Sequence, residues 1–67
     1  MSSFTAVIFE EDGCYIAECP EVGTVSQGRT IEKALENLKE ATALYLEEFP
    51  VEKKGFPIVT TFEIVPA

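Results

Sequence analysis

The stretch Glu10-Glu11-Asp12-Gly13-Cys14-Tyr15-Ile16-Ala17-Glu18-Cys19 decides the fold. Asp12-Gly13 tolerates the positive φ angles that a tight primed turn requires, so it predicts a hairpin. The apolar and β-branched run Ser3–Phe9 precedes the turn and predicts the first strand. Phe4, Ala6 and Ile8 fall on one face of it, and Val7 and Phe9 on the other. Glu10 to Asp12 then lie in the turn. Cys14–Cys19 returns as the second strand, with Tyr15, Ala17 and Cys19 on one face.

Pro20 offers no amide hydrogen to a ladder and stops the second strand. Gly23 permits a turn, and Thr24–Gln27 reads as a third, weaker strand ended by Gly28. Thr30 suits an N-cap, because its hydroxyl can accept an orphan amide of the first helical turn. Glu32 places a negative charge at the positive end of the helix dipole. Ile31, Ala34, Leu35, Leu38, Ala41, Tyr45 and Phe49 follow the helical rhythm, which predicts a helix ending near Phe49, ahead of Pro50. Leu44 breaks this pattern and lies nearly opposite Leu35 and Leu46. It is either a lone exposed leucine or part of a contact with another chain.

Val51–Pro57 reads as a loop, and Ile58–Val65 as a last strand with Ile58, Thr60, Phe62 and Ile64 on one face. The expected order is β-β-β-α-β, an α+β domain over residues 1–67. It has an antiparallel meander, one helix on one face, and a last strand beside the first and parallel to it, through a right-handed crossover. One helix covers one face only. Val7, Phe9, Val59 and Val65 would be left on the other face, the kind of apolar patch that marks an interface.

Length and charge narrow the function. A 67-residue chain buries only roughly 60% of its unfolded surface and needs a further stabiliser. With no histidine and two cysteines, self-association as a homodimer or higher oligomer is the expected one. Cys14 and Cys19 stand about 17 Å apart along a strand, too far for a bridge between them, so a reducing cytoplasm is the expected compartment. No apolar run is long enough to span a bilayer, and the N-terminus lacks a signal-peptide pattern. Twelve acidic residues against five basic ones give a net charge of −7. Such a surface repels phosphate backbones and anionic lipid and attracts basic partners, or else it serves solubility alone.

No catalytic signature accompanies this charge. Histidine-based nucleophilic catalysis and cysteine–histidine zinc sites are excluded by composition, and Gly13, Gly23 and Gly28 are too scattered for a phosphate loop. Glu10, Glu11, Asp12 and Glu18 cluster near the hairpin and raise a metal-dependent nuclease as an alternative. The last strand, however, lacks an inner carboxylate to complete that site. The expectation is no enzyme activity, no cofactor and no metal.

The run Asp12-Gly13-Cys14-Tyr15-Ile16-Ala17-Glu18-Cys19-Pro20-Glu21, then Gly23-Thr24-Val25-Ser26-Gln27-Gly28-Arg29-Thr30-Ile31-Glu32-Lys33-Ala34, then Leu35-Glu36-Asn37-Leu38-Lys39-Glu40-Ala41, resembles the N-terminal domain of HicB-family antitoxins. The resemblance covers roughly residues 4–48. Val22-Gly23 stands where the family usually has Pro-Gly, and Arg29 and Lys33 replace residues that are often acidic. The resemblance implies a degenerate ribonuclease H-like fold without its nuclease site. It also implies a partner, a small basic HicA-type toxin that cleaves mRNA, which this chain would bind and neutralise. Full-length family members add a C-terminal DNA-binding domain with no counterpart in this sequence, so no direct nucleic-acid binding is expected of this chain alone. Glu10, Glu11, Asp12, Glu36, Glu40 and Glu47 are the candidate toxin contacts, since opposite charge speeds encounter and fixes orientation. Leu44, Val7, Phe9, Val59 and Val65 are the candidate oligomer contacts. The alternative is a stand-alone homo-oligomeric module with a different protein partner.

Overall fold

The computed structural model describes residues 3–50 and 57–66. Its elements are β1 (Val7–Glu11), β2 (Cys14–Cys19), β3 (Thr24–Gly28) and α1 (Ile31–Glu48). Consecutive positive φ angles, 51° at Asp12 and 79° at Gly13, turn the chain between β1 and β2 as the two-residue hairpin requires. The turn is so tight that pairing starts at once, with Glu11 opposite Cys14 and Glu10 opposite Tyr15. Glu10 and Glu11 therefore belong to β1, which corrects their placement in the turn; Asp12 alone of the three sits there.

At its other end β1 starts later than the apolar run suggests. Val7 pairs with Glu18, and that register would set Thr5 opposite Pro20, which has no amide to give. The ladder stops short of that pair, and the Thr5 amide donates to both carboxylate oxygens of Glu21, at 3.1 and 2.9 Å. Antiparallel pairing of β2 with β3 completes a sheet of order β1-β2-β3. β3 runs one residue further than read, because Gly28 still pairs with Tyr15.

Thr30 caps α1 as expected: its backbone is extended (φ −131°, ψ 163°) and its Oγ1 accepts the Lys33 amide at 3.0 Å. The helix ends at Glu48, and the Phe49 amide closes the last turn on the Tyr45 carbonyl at 2.8 Å. α1 packs chiefly on β3 and less on β2. The Asn37 side-chain amide donates to the Gln27 carbonyl at 2.8 Å, and the Thr24 and Thr42 hydroxyls meet at 2.6 Å. These bonds hold the helix in register along β3.

Cross-strand partners share a face. Ile8 with Ala17, and Tyr15, Cys19 and Ser26, therefore face the helix, where Ala17, Cys19, Ala34 and Leu38 are buried. Val7, Phe9, Ile16 and Val25 lie on the opposite face, as the alternation of the strands predicted for Val7 and Phe9. Both cysteines are unbridged, with Cys19 buried and Cys14 half-buried.

The fourth strand is the main correction. Residues 57–66 form no strand, and Ile58, Val59, Phe62, Ile64 and Val65 are 69–92% exposed. No strand parallel to β1 is present among the described residues, so Val59 and Val65 are not on the sheet's open face. Alternating apolar residues specify a surface that wants cover; they do not specify which sheet edge supplies it. Of the loop read over Val51–Pro57, residues 51–56 lie outside the described residues, and Pro57 is in no regular element.

Gly28 sets the distance between helix and sheet. A Cβ there would stand 2.6 Å from the Ala34 amide nitrogen and 2.9 Å from the Lys33 carbonyl carbon, both backbone atoms that cannot swing aside. Gly28→Ala is expected to lower stability by about 1–3 kcal/mol. Urea unfolding checks this, and an unchanged midpoint would contradict it.

Candidate partner-binding surface

At 3.6 residues per turn, Glu36, Glu40 and Glu47 fall within about 40° of one another around α1 and span about 16 Å of its axis. The stripe lies opposite the buried Ala34 and Leu38, so all three carboxylates are exposed. Lys33 reaches Glu36 at 3.8 Å, with both side chains solvated. Such a pair contributes about 0–1 kcal/mol and leaves the stripe negative.

Glu10, Glu11 and Asp12 form a second acidic site at the hairpin tip, also exposed. Because Tyr15 pairs with Gly28, just ahead of the Thr30 cap, this tip lies toward the N-terminal end of α1. Glu47 lies at the far end of the helix. The six candidate contacts therefore make two separate acidic areas and not one cluster. Among the described residues, no three histidine, cysteine, aspartate or glutamate side chains come together to hold a metal ion. No described helix is long and apolar enough to cross a membrane.

The candidate oligomer contacts also divide. Phe9, with Val25 beside it on the open face of the sheet, is 52% exposed, and Val7 is half-buried. Leu44 is 58% exposed on the outer side of α1. Val59 and Val65 project from the separate C-terminal segment.

Sequence reasoning missed Glu21. Besides the Thr5 amide, its carboxylate accepts the Thr5 hydroxyl at 2.8 Å and the Cys19 thiol at 3.6 Å. Glu21 thereby ties the segment before β1 to the end of β2. Desolvation pushes this carboxyl up. Hydrogen bonds from the Thr5 side chain, its own amide, the Thr5 amide and the Cys19 thiol outweigh that push and hold it below its usual 4.5. The available signal was Pro20, which removes a ladder donor just before an acidic residue.

The chain is similar to the UPF0150 protein of Helicobacter pylori, with 42% identity over 52 residues, 76% of this chain and 72% of the relative. It is 36% identical over 56 residues to the UPF0150 protein Ta0767 of Thermoplasma acidophilum, 81% of each chain. To the UPF0150 protein ssr1258 of Synechocystis it is 43% identical over 44 residues, and it spans 64% of that relative's length. No family model and no solved structure matches the chain.

The depressed Glu21 carboxyl links folding to pH. Its stabilising contribution is complete above the unfolded-state value and is lost as pH falls through the lower folded-state value. Glu21→Gln is therefore expected to unfold at lower temperature than wild type at pH about 7, with the gap closing below pH about 4. Thermal unfolding across that range checks it, and a gap independent of pH would contradict the assignment.

Proposed function

The chain belongs to the UPF0150 family, and on that premise we propose that it is an antitoxin-like binding protein which neutralises a small basic, mRNA-cleaving toxin of the HicA type. The observation that carries this reading is the exposed Glu36–Glu40–Glu47 stripe on the outer side of α1, in a chain of net charge −7. A stripe of one sign attracts a basic nuclease surface from a distance and orients it on contact. The HicB-like run from Ser26-Gln27-Gly28 through Thr30, Ala34, Leu38 and Ala41 supports the same reading, and the structure gives several of these positions physical tasks. Gly28 admits the helix, Thr30 caps it, and Ala34 and Leu38 fill the core.

In this role the protein acts by stoichiometric cover in the cytoplasm and performs no chemistry of its own. A basic surface that grips RNA phosphates is blocked when carboxylates occupy it. The exposed apolar face around Phe9 and Val25 favours one further reading, a homo-oligomeric module whose partner is some other protein.

Calorimetry between the purified chain and a small basic protein encoded beside it separates these readings. Tight binding that abolishes RNA cleavage and weakens from about 0.1 to about 0.5 M salt is expected. Replacing Glu36, Glu40 and Glu47 with alanine is expected to weaken it about tenfold or more and flatten its salt dependence. The hairpin set Glu10, Glu11 and Asp12 is tested in the same way. Unchanged affinity and salt dependence after both sets of substitutions would remove the acidic areas from the interface. Absence of binding by the folded chain would leave the homo-oligomeric module.

A further inference from the structure

Beside β1 the molecule holds an apolar groove of about 390 Å³, open to solvent. Its helix wall is Leu35, Ala43 and Leu46, one flank of α1 that overhangs the sheet, and its floor includes Ala6, Cys19 and Leu38. Phe4, Thr5 and Ala6, which lead into β1, line the groove on the sheet side, and in the described sheet β1 has β2 as its one strand neighbour, so it is an edge strand. Groove and edge together are what a further strand would fill: backbone pairing along the edge, with alternate side chains entering between sheet and helix.

The chain also carries a segment of the matching form. In residues 57–66, Ile58, Thr60, Phe62 and Ile64 alternate with Val59, Thr61, Glu63 and Val65. The first set is apolar at three of its four positions, which suits the groove side, and the second carries the charge. Yet Ile58, Phe62 and Ile64 are 92, 84 and 79% exposed, so the segment does not occupy its own chain's groove. The radius of gyration, 13.7 Å, exceeds the roughly 11 Å of a compact domain of this length, as an extended arm requires. Pro50 holds Phe49 out of the helical region, at φ −128° and ψ 76°, and so ends α1 there.

From this complementarity we propose that residues 57–66 of a second copy of this chain add a strand to the β1 edge and seat Phe62 and Ile64 against Leu35 and Leu46, in a reciprocal strand exchange. The exchange is isologous: each copy gives one arm and receives one, and the two-fold closes the assembly as a dimer. Both edge and apolar arm are covered in a single step, without rebuilding either core. The exchange stands independently of the toxin reading, because it uses neither acidic area.

Light scattering on the full chain tests it together with isotope-filtered NMR on a refolded mixture of labelled and unlabelled chains. The wild type is expected to be a dimer of 7.4 kDa chains. Contacts from Phe62 or Ile64 of one copy to Leu35 or Leu46 of the other are expected in the mixture. The double variant Phe62→Asp, Ile64→Asp is expected to be monomeric with its helical circular dichroism retained, since both side chains lie outside the core. A monomeric wild type, a variant that stays dimeric, or contacts confined to a single chain would each overturn the proposal. The wild-type NMR result decides the matter even if the variant fails to fold.

Discussion

The structure depends on how closely α1 approaches β3. Gly28 lets the Lys33–Ala34 backbone come where any Cβ would collide. Ala34 and Ala17, both fully buried, continue that approach with the smallest side chains that still exclude water. Thr30 fixes where the helix begins, and the Asn37–Gln27 and Thr24–Thr42 bonds fix how it runs along the strand. The close approach gives a thin core, in which Cys19, 1% exposed, is the largest fully buried side chain. It also fixes the helix's rotation. Leu38 turns in, the Glu36–Glu40–Glu47 stripe turns out, and Leu35 and Leu46 line the groove shared with Phe4, Thr5 and Ala6.

So thin a core explains the rest of the surface. One helix covers one face of three short strands, and the face bearing Phe9 and Val25 has no layer over it within the described residues. The C-terminal segment keeps its apolar residues in solvent while an apolar groove stands open beside β1. For a chain near the lower limit of independent stability, these are the surfaces where the association proposed above would stabilise the fold. The acidic stripe lies on a different side from both, so the basic partner and the second copy proposed above would not compete.

Local chemistry was legible in the sequence. Asp12-Gly13 announced its hairpin because few pairs adopt two positive φ angles, and Thr30 announced the helix start because its hydroxyl serves amides that lack partners. The alternation that put Val7 and Phe9 away from the core followed from strand geometry alone. What escaped was anything set by a distant partner. Nothing local to Thr5 says that its amide goes to Glu21, sixteen residues on. Nor does the alternation of Ile58, Phe62 and Ile64 say where that segment pairs. The acidic residues were individually visible. Their division into a helix stripe and a hairpin tip needed the pairing of Tyr15 with Gly28, which orients the hairpin relative to α1.

A chain built this way is small and acidic, with apolar residues left exposed on the sheet and in the C-terminal segment. On the proposed exchange, it would reach full stability only by association. The most direct measurement is the urea midpoint of the chain alone over about a hundredfold range of concentration. If folding and assembly are coupled, the midpoint rises steadily with concentration, since dilution favours the dissociated and less stable chain. A midpoint independent of concentration, in a protein shown to be monomeric throughout, would mean that the thin core suffices by itself, and would contradict the claim.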